Sequence, residues 1–186
     1  MLFPISTHNP EEPLILDTFA ALRAEFPALR LVLVPRHAER GADIEKLIQA
    51  RNLPYRRRSN GAGLEHGFAV LLADTTGELA RLIQGADLII MGKTLAGNNE
   101  GQNIIEPAAM GKPVICGPQL KNFRQALDAL VKGDAVLRVM KDSELTDAVR
   151  HLLSDPAERQ ALGERASAVM LKSRGALEKV LAAIRT

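Results

Sequence analysis

Short runs of strand-forming residues alternate with amphipathic helical segments along most of this sequence. Residues 31–34 and 88–91 are apolar at every position, which is typical of parallel strands that are covered on both faces. Because parallel neighbours are joined by crossovers, which are almost always right-handed, the pattern predicts an α/β fold. We expect a Rossmann-like three-layer αβα domain with a mostly parallel sheet. The predicted strands are residues 2–5, 30–34, 55–57, 68–72, 88–91, 114–116 and 135–139.

The length of 186 residues suits one well-buried domain and is too short for two ordinary ones. After the last predicted strand the pattern is helical only, so we predict a single domain over residues 1–186 with a helical tail at about 142–186. The second tail helix is predicted to begin at Pro156 and to reach about residue 184, with a possible break near Gly163. Earlier helices are predicted at residues 11–25, 39–51, 77–84 and 123–132.

The composition excludes several classes of protein. A formal net charge of +2, 3% aromatic residues and no Trp argue against a nucleic-acid-binding protein. The one cysteine, Cys116, cannot form an internal disulfide, and we interpret it as a core residue because it ends an apolar strand. No apolar run has the length of a membrane span, and no signal peptide is present, so we expect a soluble fragment. Since Met1 runs directly into a strand, we expect that a preceding region is absent.

A loop of small and polar residues, 92–103, leads into a helix that carries Glu106 in its first turns. Glycine permits close approach to a ligand, and a helix N-terminus presents N–H groups to an anion. We predict that Asn103 binds the α-phosphate of a nucleotide together with the backbone N–H groups around Gly101 and Gln102. Glu106 is predicted to accept hydrogen bonds from the ribose hydroxyls. The alternatives are a helix cap for Asn103 and a helix-dipole contact for Glu106.

Polar residues also follow other predicted strands at their carboxyl ends, where open α/β sheets bind ligands. The Arg36 guanidinium suits a phosphate or a carboxylate; the alternative is an ion pair with Glu39 or Glu11. His37 is predicted either to contact the ligand or to bond only the backbone. Ser6 and Thr7 are either substrate contacts or helix caps.

Charged residues elsewhere receive simpler interpretations. Lys93 is either beside the phosphate or solvated, and Glu11 and Glu12 are predicted to be helix-start charges. Asp74 or Thr75 is predicted to cap a helix with Glu78 at the reciprocal position, and residues 56–58, all arginine, to form a solvated edge. The four histidines are not spaced as metal ligands, so we predict neither a metal site nor a cofactor. They are His8, His37, His66 and His151.

Eight short motifs occur in order along nearly the whole chain. They are Ser6-Thr7-His8 with Glu11-Glu12, Val34-Pro35-Arg36-His37-Ala38-Glu39-Arg40, Arg57-Arg58-Ser59, Ala73-Asp74-Thr75-Thr76-Gly77-Glu78-Leu79, residues 101–107, residues 113–118, Asn122-Phe123 and Arg174-Gly175-Ala176-Leu177. Together they resemble the C-terminal half of the 3-deoxy-D-manno-octulosonic acid (Kdo) transferases of lipopolysaccharide assembly. The sequence departs from the usual family pattern at Gln102, where histidine is common, and at Lys93, in a turn that is usually of the Gly-Gly-Ser type.

The resemblance implies the C-terminal half of a GT-B glycosyltransferase, in which two Rossmann-like domains face each other across a cleft. This half is expected to bind the nucleotide sugar CMP-Kdo without a metal. The absent N-terminal domain is expected to hold the lipid A precursor, the membrane anchor and the general base, so no catalytic residue is assigned here and the fragment alone is expected to be inactive. The full protein is expected at the cytoplasmic face of the bacterial inner membrane. The alternatives are a UDP-sugar-binding epimerase-like domain and a non-catalytic nucleotide-binding module.

Overall fold

The computed structural model describes residues 1–61 and 67–184, and it describes side chains as far as residue 173. All seven predicted strands are present within one parallel sheet, whose order is β3-β4-β2-β1-β5-β6-β7. The strands are β1 (Leu2–Thr7), β2 (Leu31–Pro35), β3 (Tyr55–Arg57), β4 (Val70–Leu72), β5 (Leu88–Met91), β6 (Val114–Cys116) and β7 (Leu137–Arg138). The sheet prediction is therefore confirmed. His66 and the side chains of the motif at residues 174–177 lie outside the described residues.

Helices connect the strands and form the tail. They are α1 (Glu11–Arg23), α2 (Gly41–Gln49), α3 (Leu79–Gln84), α4 (Ile105–Ala109), α5 (Arg124–Lys132), α6 (Leu145–Ser154) and α7 (Pro156–Ile184). The break considered near Gly163 is wrong, because α7 runs through this residue without interruption. A Cβ atom at Gly163 would lie 2.1 Å from the carbonyl oxygen of Gly111, so glycine here allows α7 to approach the residues that follow α4.

Successive residues of the central strands pack into opposite cores, as the pleat of a sheet requires. Leu31 and Leu33 join one core with residues of α1, α2 and α6, whereas Val32 and Val34 join the other with residues of α3, α4 and α5. The three-layer αβα prediction is thus confirmed. Cys116 is fully buried in the second core, and burial raises the pKa of its thiol to about 12, in agreement with its interpretation as a core residue.

The strand order places a topological switch point beside β1. From β1 the chain proceeds to β2 and the strands beyond it, and then crosses to β5 on the other side of β1. In open α/β sheets the crevice outside the carboxyl ends of such strands is where ligands bind. Among the helices that the structure describes, none combines the length and the apolar character needed to cross a membrane.

Candidate functional site

Three turns meet at the carboxyl ends of β2, β1 and β5, which are neighbours in the sheet. The N–H of Arg36 donates to the carbonyl of Thr7 over 3.1 Å, and the N–H of Gly92 donates to that of Ile5 over 2.9 Å. A Cβ atom at Gly92 would lie only 2.2 Å from the carbonyl oxygen of Ser6, so the β5–α4 loop can approach the β1–α1 turn only with glycine there. The structure therefore brings the predicted turns together.

The carboxylate of Glu11 connects two of these turns. It is fully buried and accepts four backbone N–H groups, from His8 (2.9 Å), Lys93 (2.8 Å), Thr94 (2.7 Å) and Leu95 (2.9 Å). Burial raises the pKa of Glu11, and the four N–H donors oppose that rise. Glu11 does begin α1, but its role as a buried acceptor for a distant loop is one that the sequence pattern did not indicate.

Its neighbour Glu12 holds the turn after β2. Glu12 is also fully buried, and its carboxylate receives both terminal nitrogens of Arg40, over 2.6 Å and 3.1 Å. The N–H of Arg40 in turn donates to the carbonyl of His37 over 3.1 Å. The prediction that Glu11 and Glu12 are helix-start charges is confirmed, since both lie in the first turn of α1. The structure adds that both carboxylates are buried and bind turns on opposite sides of β1.

The β5–α4 loop, residues 92–104, has a defined backbone shape. Lys93 and Ala96 adopt left-handed conformations, with φ of 61° and 51°. The hydroxyl of Thr94 donates to the carbonyl of Met91 over 2.6 Å and accepts the N–H of Gly117 over 2.9 Å. These bonds join the loop to the strand before it and to the turn that follows β6.

Arg36 and His37 lie exposed on the turn after β2. Arg36 makes no side-chain hydrogen bond or ion pair with any residue that the structure describes, so the alternative of a pair with Glu39 or Glu11 is wrong. His37 Nδ1 lies 3.5 Å from Glu39 Oε1, and its ring meets the ring of His8 edge-on with centroids 5.5 Å apart. The guanidinium of Arg36 is thus accessible to a ligand.

Ser6 and Thr7, the last residues of β1, do not cap α1. Pro10 occupies the N-cap position, so the alternative that Ser6 or Thr7 caps the helix is wrong. Ser6 has a left-handed φ of 54°, and its carbonyl accepts the Nδ1–H of His8 over 3.1 Å. The hydroxyl of Thr7 is buried and has no partner among the described residues. Burial lowers the pKa of His8, and nearby Lys93 and His37 lower it further. The hydrogen bond to the Ser6 carbonyl acts in the opposite direction.

The residues at the start of α4 differ from the predicted cap. Asn103 Oδ1 accepts the N–H of Ile105 over 3.1 Å, but the N-cap position belongs to Ile104, so the alternative of an Asn103 cap is wrong. The N–H of Gly101 donates to the carbonyl of Lys93 over 2.8 Å, so it is already used within the protein. Gln102 and Glu106 are half-buried, and the carboxylate of Glu106 makes no hydrogen bond or ion pair with a described residue.

Two details weaken the predicted phosphate site. Helix α4 has only five residues, so its dipole is small, since the macrodipole sums aligned peptide units. Lys93 Nζ lies 3.1 Å from Glu100 Oε2, so its positive charge already has a partner within the protein. The phosphate role of Gly101, Gln102, Asn103 and Lys93 remains a prediction, whereas Arg36 keeps an accessible positive charge.

A second group of charges lies at the carboxyl ends of β3 and β4. Asp74 is buried and accepts two bonds from Arg57 (2.9 Å and 2.6 Å) and two from Ser59, through its N–H (3.0 Å) and its hydroxyl (2.8 Å). Burial disfavours the charge of Asp74, but these donors outweigh it and lower its pKa. Arg57 also reaches Glu45 over 2.8 Å. The prediction of a solvated edge is therefore wrong for Arg57 and Arg58, whereas Arg56 is exposed as expected. The predicted cap by Asp74 or Thr75 is also wrong, because the N-cap of α3 is Glu78.

Clefts open at this edge of the sheet among the described residues. One, of about 110 Å³, lies between the β2 and β4 turns, and a larger one, of about 330 Å³, lies after β6 and β7. The smaller is lined by Ser6, Val34, Pro35, Arg36, Ala38, Thr75, Thr76, Gly77, Leu79 and Leu82. Within the described part of the chain, no three His, Cys, Asp or Glu residues are grouped so that they could hold a metal ion.

Comparison with known proteins identifies relatives along nearly the whole chain. The family model for glycosyl transferases of group 1 matches residues 13–169. A 3-deoxy-D-manno-octulosonic acid transferase of Haemophilus influenzae is 36% identical over 177 residues, which are 95% of this chain and 41% of that protein. The transferase of the same name from Bordetella pertussis is 38% identical over 184 residues, 96% of this chain and 42% of that protein. The chain thus spans about two fifths of the length of these relatives.

Solved structures agree with these matches. The C-terminal CMP-Kdo binding domain of WaaA from Acinetobacter baumannii superposes with a TM-score of 0.84 at 30% identity, covering 91% of this chain and 88% of that domain. The C-terminal domain of the group 1 glycosyl transferase LpcC from Francisella tularensis has a TM-score of 0.64 at 11% identity, covers 92% and 84%, and shows the fold alone. The expected fold, a C-terminal half of the GT-B type, is confirmed. The chain therefore belongs to the group 1 glycosyl transferases and, within them, to the 3-deoxy-D-manno-octulosonic acid transferases.

Proposed function

We propose that this chain is the donor-binding domain of a Kdo transferase and that it binds CMP-Kdo. The supporting geometry is that Arg36 and Glu106 have no side-chain partner among the described residues, while the turns that carry them are fixed by buried contacts. Arg36 offers a fork of donors that suits a phosphate or the sugar carboxylate, and Glu106 offers acceptors for the ribose hydroxyls.

The domain's part in the reaction is electrostatic. Arg36 would stabilise the negative charge that develops on CMP as the bond to the sugar breaks, with the N–H groups near Gln102 and Asn103 as further donors. The short α4 adds little to this stabilisation. We propose no metal at the leaving phosphate.

The remainder of the full protein supplies what these residues do not. We propose that its other half binds the lipid A precursor, provides the general base and associates with the membrane at the cytoplasmic face of the bacterial inner membrane. The transferase reaction then belongs to lipopolysaccharide biosynthesis, and the domain alone binds the donor without transferring the sugar.

Calorimetric titration with CMP and cytidine tests the two assignments separately. We expect Arg36→Ala to weaken CMP about tenfold or more while leaving cytidine affinity nearly unchanged, because only CMP carries the phosphate. Glu106→Ala should weaken the binding of both CMP and cytidine. In this variant, replacing CMP by 2′-deoxycytidine monophosphate should lower the affinity little further, because the carboxylate that would bind the ribose hydroxyls is already absent. Arg150→Ala and Glu25→Ala are the control variants, since they remove the same two side-chain types at a pair, 2.9 Å apart, that joins α6 to the residues after α1.

The outcome also separates the alternatives. Saturable binding of CMP that exceeds that of UMP supports the donor-domain proposal. A preference for UMP would favour the UDP-sugar-binding epimerase-like reading. Failure of the unsubstituted protein to bind CMP would overturn the proposed function. Restoration of transfer by adding the N-terminal half of a relative would exclude a non-catalytic module.

A further inference from the structure

The β5–α4 loop has a backbone shape that its own sequence does not favour. Lys93 and Ala96 both adopt left-handed φ values, which cost free energy for residues that carry a Cβ atom. Successive N–H groups of Lys93, Thr94 and Leu95 turn inward towards one carboxylate instead of outward to solvent. A stabilising contact must therefore hold this shape, and the fully buried Glu11 is placed to do so.

The bonding of Glu11 divides evenly between its two oxygens. Oε1 accepts the N–H groups of Thr94 and Leu95, and Oε2 accepts those of His8 and Lys93. Each oxygen therefore accepts two donors, and Oε2 joins the β1–α1 turn to the β5–α4 loop. No exposed surface of Glu11 remains for a ligand, so any effect on binding must pass through the backbone.

The shape that Glu11 holds is passed on to the start of α4. The carbonyl of Lys93, whose N–H binds Glu11, accepts the N–H of Gly101 over 2.8 Å. A Cβ atom at Gly101 would lie 2.5 Å from Cγ of Leu120, so the chain can pass there only as glycine, with φ of 72°. Gln102 and Asn103, the predicted phosphate donors, follow Gly101 directly, so a chain of hydrogen bonds leads from Glu11 to the residue before them.

We propose that Glu11 is a positioning residue of the phosphate subsite, which it forms in advance of the ligand by fixing the backbone of residues 93–95 and, through Gly101, of residues 102–103. This inference rests on the proposed function, because it concerns the same nucleotide site. The ligand that reveals it is a nucleoside monophosphate, and the probes are CMP and its phosphate-free counterpart cytidine.

Glu11→Gln is the sharpest variant, because it keeps the shape of the side chain and replaces one acceptor oxygen by an NH₂ group. In either orientation the NH₂ faces two N–H donors and accepts neither, so half of the bonds are lost. We expect CMP affinity to fall about tenfold and cytidine affinity to change less than twofold. If the substitution only destabilised the fold in general, the affinities for CMP and for cytidine would fall by the same factor.

Val149→Ala is the matched control. Val149 is fully buried in the core formed with α6, which also includes Leu95, so its truncation lowers stability without removing any of the hydrogen bonds that Glu11 accepts. At a temperature where both variants are fully folded, Val149→Ala should bind CMP as the unsubstituted protein does. Equal losses of CMP affinity in the two variants would overturn the proposal, as would unchanged CMP affinity in folded Glu11→Gln.

Hydrogen exchange in the unsubstituted protein keeps the test decisive if Glu11→Gln does not fold. We expect the amides of Thr94 and Leu95 to be protected before CMP is added and to change little on binding. Protection that appears only with CMP would overturn the idea of a subsite formed in advance. If the unsubstituted protein does not bind CMP at all, the proposed function is overturned. If it binds CMP and Glu11→Gln binds CMP equally well, only the positioning role of Glu11 is overturned.

Discussion

Glu11 and Asp74 are both buried carboxylates at the carboxyl-end edge of the sheet, on either side of the turn that carries Arg36, but their partners differ in kind. Glu11 is held by backbone N–H groups, and burial raises its pKa because neutral dipoles only partly offset the loss of water. Asp74 is held by Ser59 and by the charged Arg57, which together lower its pKa despite burial. The first arrangement shapes a loop, whereas the second ties side chains of the edge strand to the sheet.

The largest expected difference between the two regions concerns their glycines. A Cβ atom at Gly92 would meet the backbone of Ser6 at 2.2 Å, whereas one at Gly41 would meet the side chains of Asp74 and Arg57 at 2.6 Å and 2.7 Å. Side chains can shift and a strand-end backbone cannot, so Gly92→Ala should lower the free energy of unfolding by about 3 kcal/mol and Gly41→Ala by about 1 kcal/mol. Urea denaturation measures the free energy of unfolding of both variants. Equal losses would contradict the view that the backbone where β1 and β5 end is more rigid than the side chains around Gly41.

The second prediction separates a charged partner from backbone partners. Asp74→Asn leaves Arg57 with one charged partner, Glu45, and should cost about 2 kcal/mol of unfolding free energy. Adding Arg57→Met should restore part of this loss, because it removes the poorly compensated charge. No second substitution can rescue Glu11→Gln in this way, since its partners are main-chain groups. A double variant that is less stable than Asp74→Asn would refute the ion-pair account.

The third prediction uses the opposite pKa shifts. Because the pKa of Asp74 is lowered on folding, its stabilising contribution is present above about pH 3.8 and is lost as the pH falls through the lowered value. Because the pKa of Glu11 is raised, its contribution is greatest below about pH 4.5 and declines as the pH rises through the raised value. Acidification should therefore shrink the stability gap between unsubstituted protein and Asp74→Asn but widen the gap to Glu11→Gln. Urea unfolding across pH 7 to 3 measures both gaps, and parallel curves would contradict the assignment.

The smallest effect concerns Glu78, a half-buried carboxylate beside the Asp74 group. Arg58 and, over a short bond, Thr75 donate to Glu78 and lower its pKa to about 2. Arg58→Met should move this pKa towards its usual value of 4.5 with little change in stability, since an ion pair that keeps contact with solvent contributes little. Carboxyl chemical shifts followed against pH provide the measurement. A pKa that stays near 2 would assign the shift to Thr75 instead.

Local pattern was enough to predict the strands and the edge at which the candidate site lies. Continuous apolar runs such as residues 88–91 identify covered parallel strands, and the carboxyl-end rule then places Arg36 and Glu106 at one edge. The surroundings of Glu11 could not be predicted, because three of its four donors lie 82 to 84 residues further along the chain. An acidic residue in a first helical turn looks the same in sequence whether it is solvated or buried.

Glycine was the other source of error, because it has more than one structural use. The sequence pattern indicated a possible helix break at Gly163, yet this residue lies inside α7. The carbonyl oxygen of Gly111 occupies the position where a side chain of residue 163 would lie. Gly101 was expected to present its N–H to a phosphate, yet that N–H binds Lys93. Both outcomes depend on which segment packs against the glycine, and that information is not local.

The single cysteine makes this protein convenient for site-directed labelling. Cys116 is fully buried, and with a pKa of about 12 its thiol stays protonated at neutral pH, so it should be inert to maleimide reagents in the folded state. Glu39, whose side chain is 77% exposed, lies three residues beyond Arg36. A fluorophore attached through Glu39→Cys would report nucleotide binding from the rim of the site, without prior removal of the native thiol.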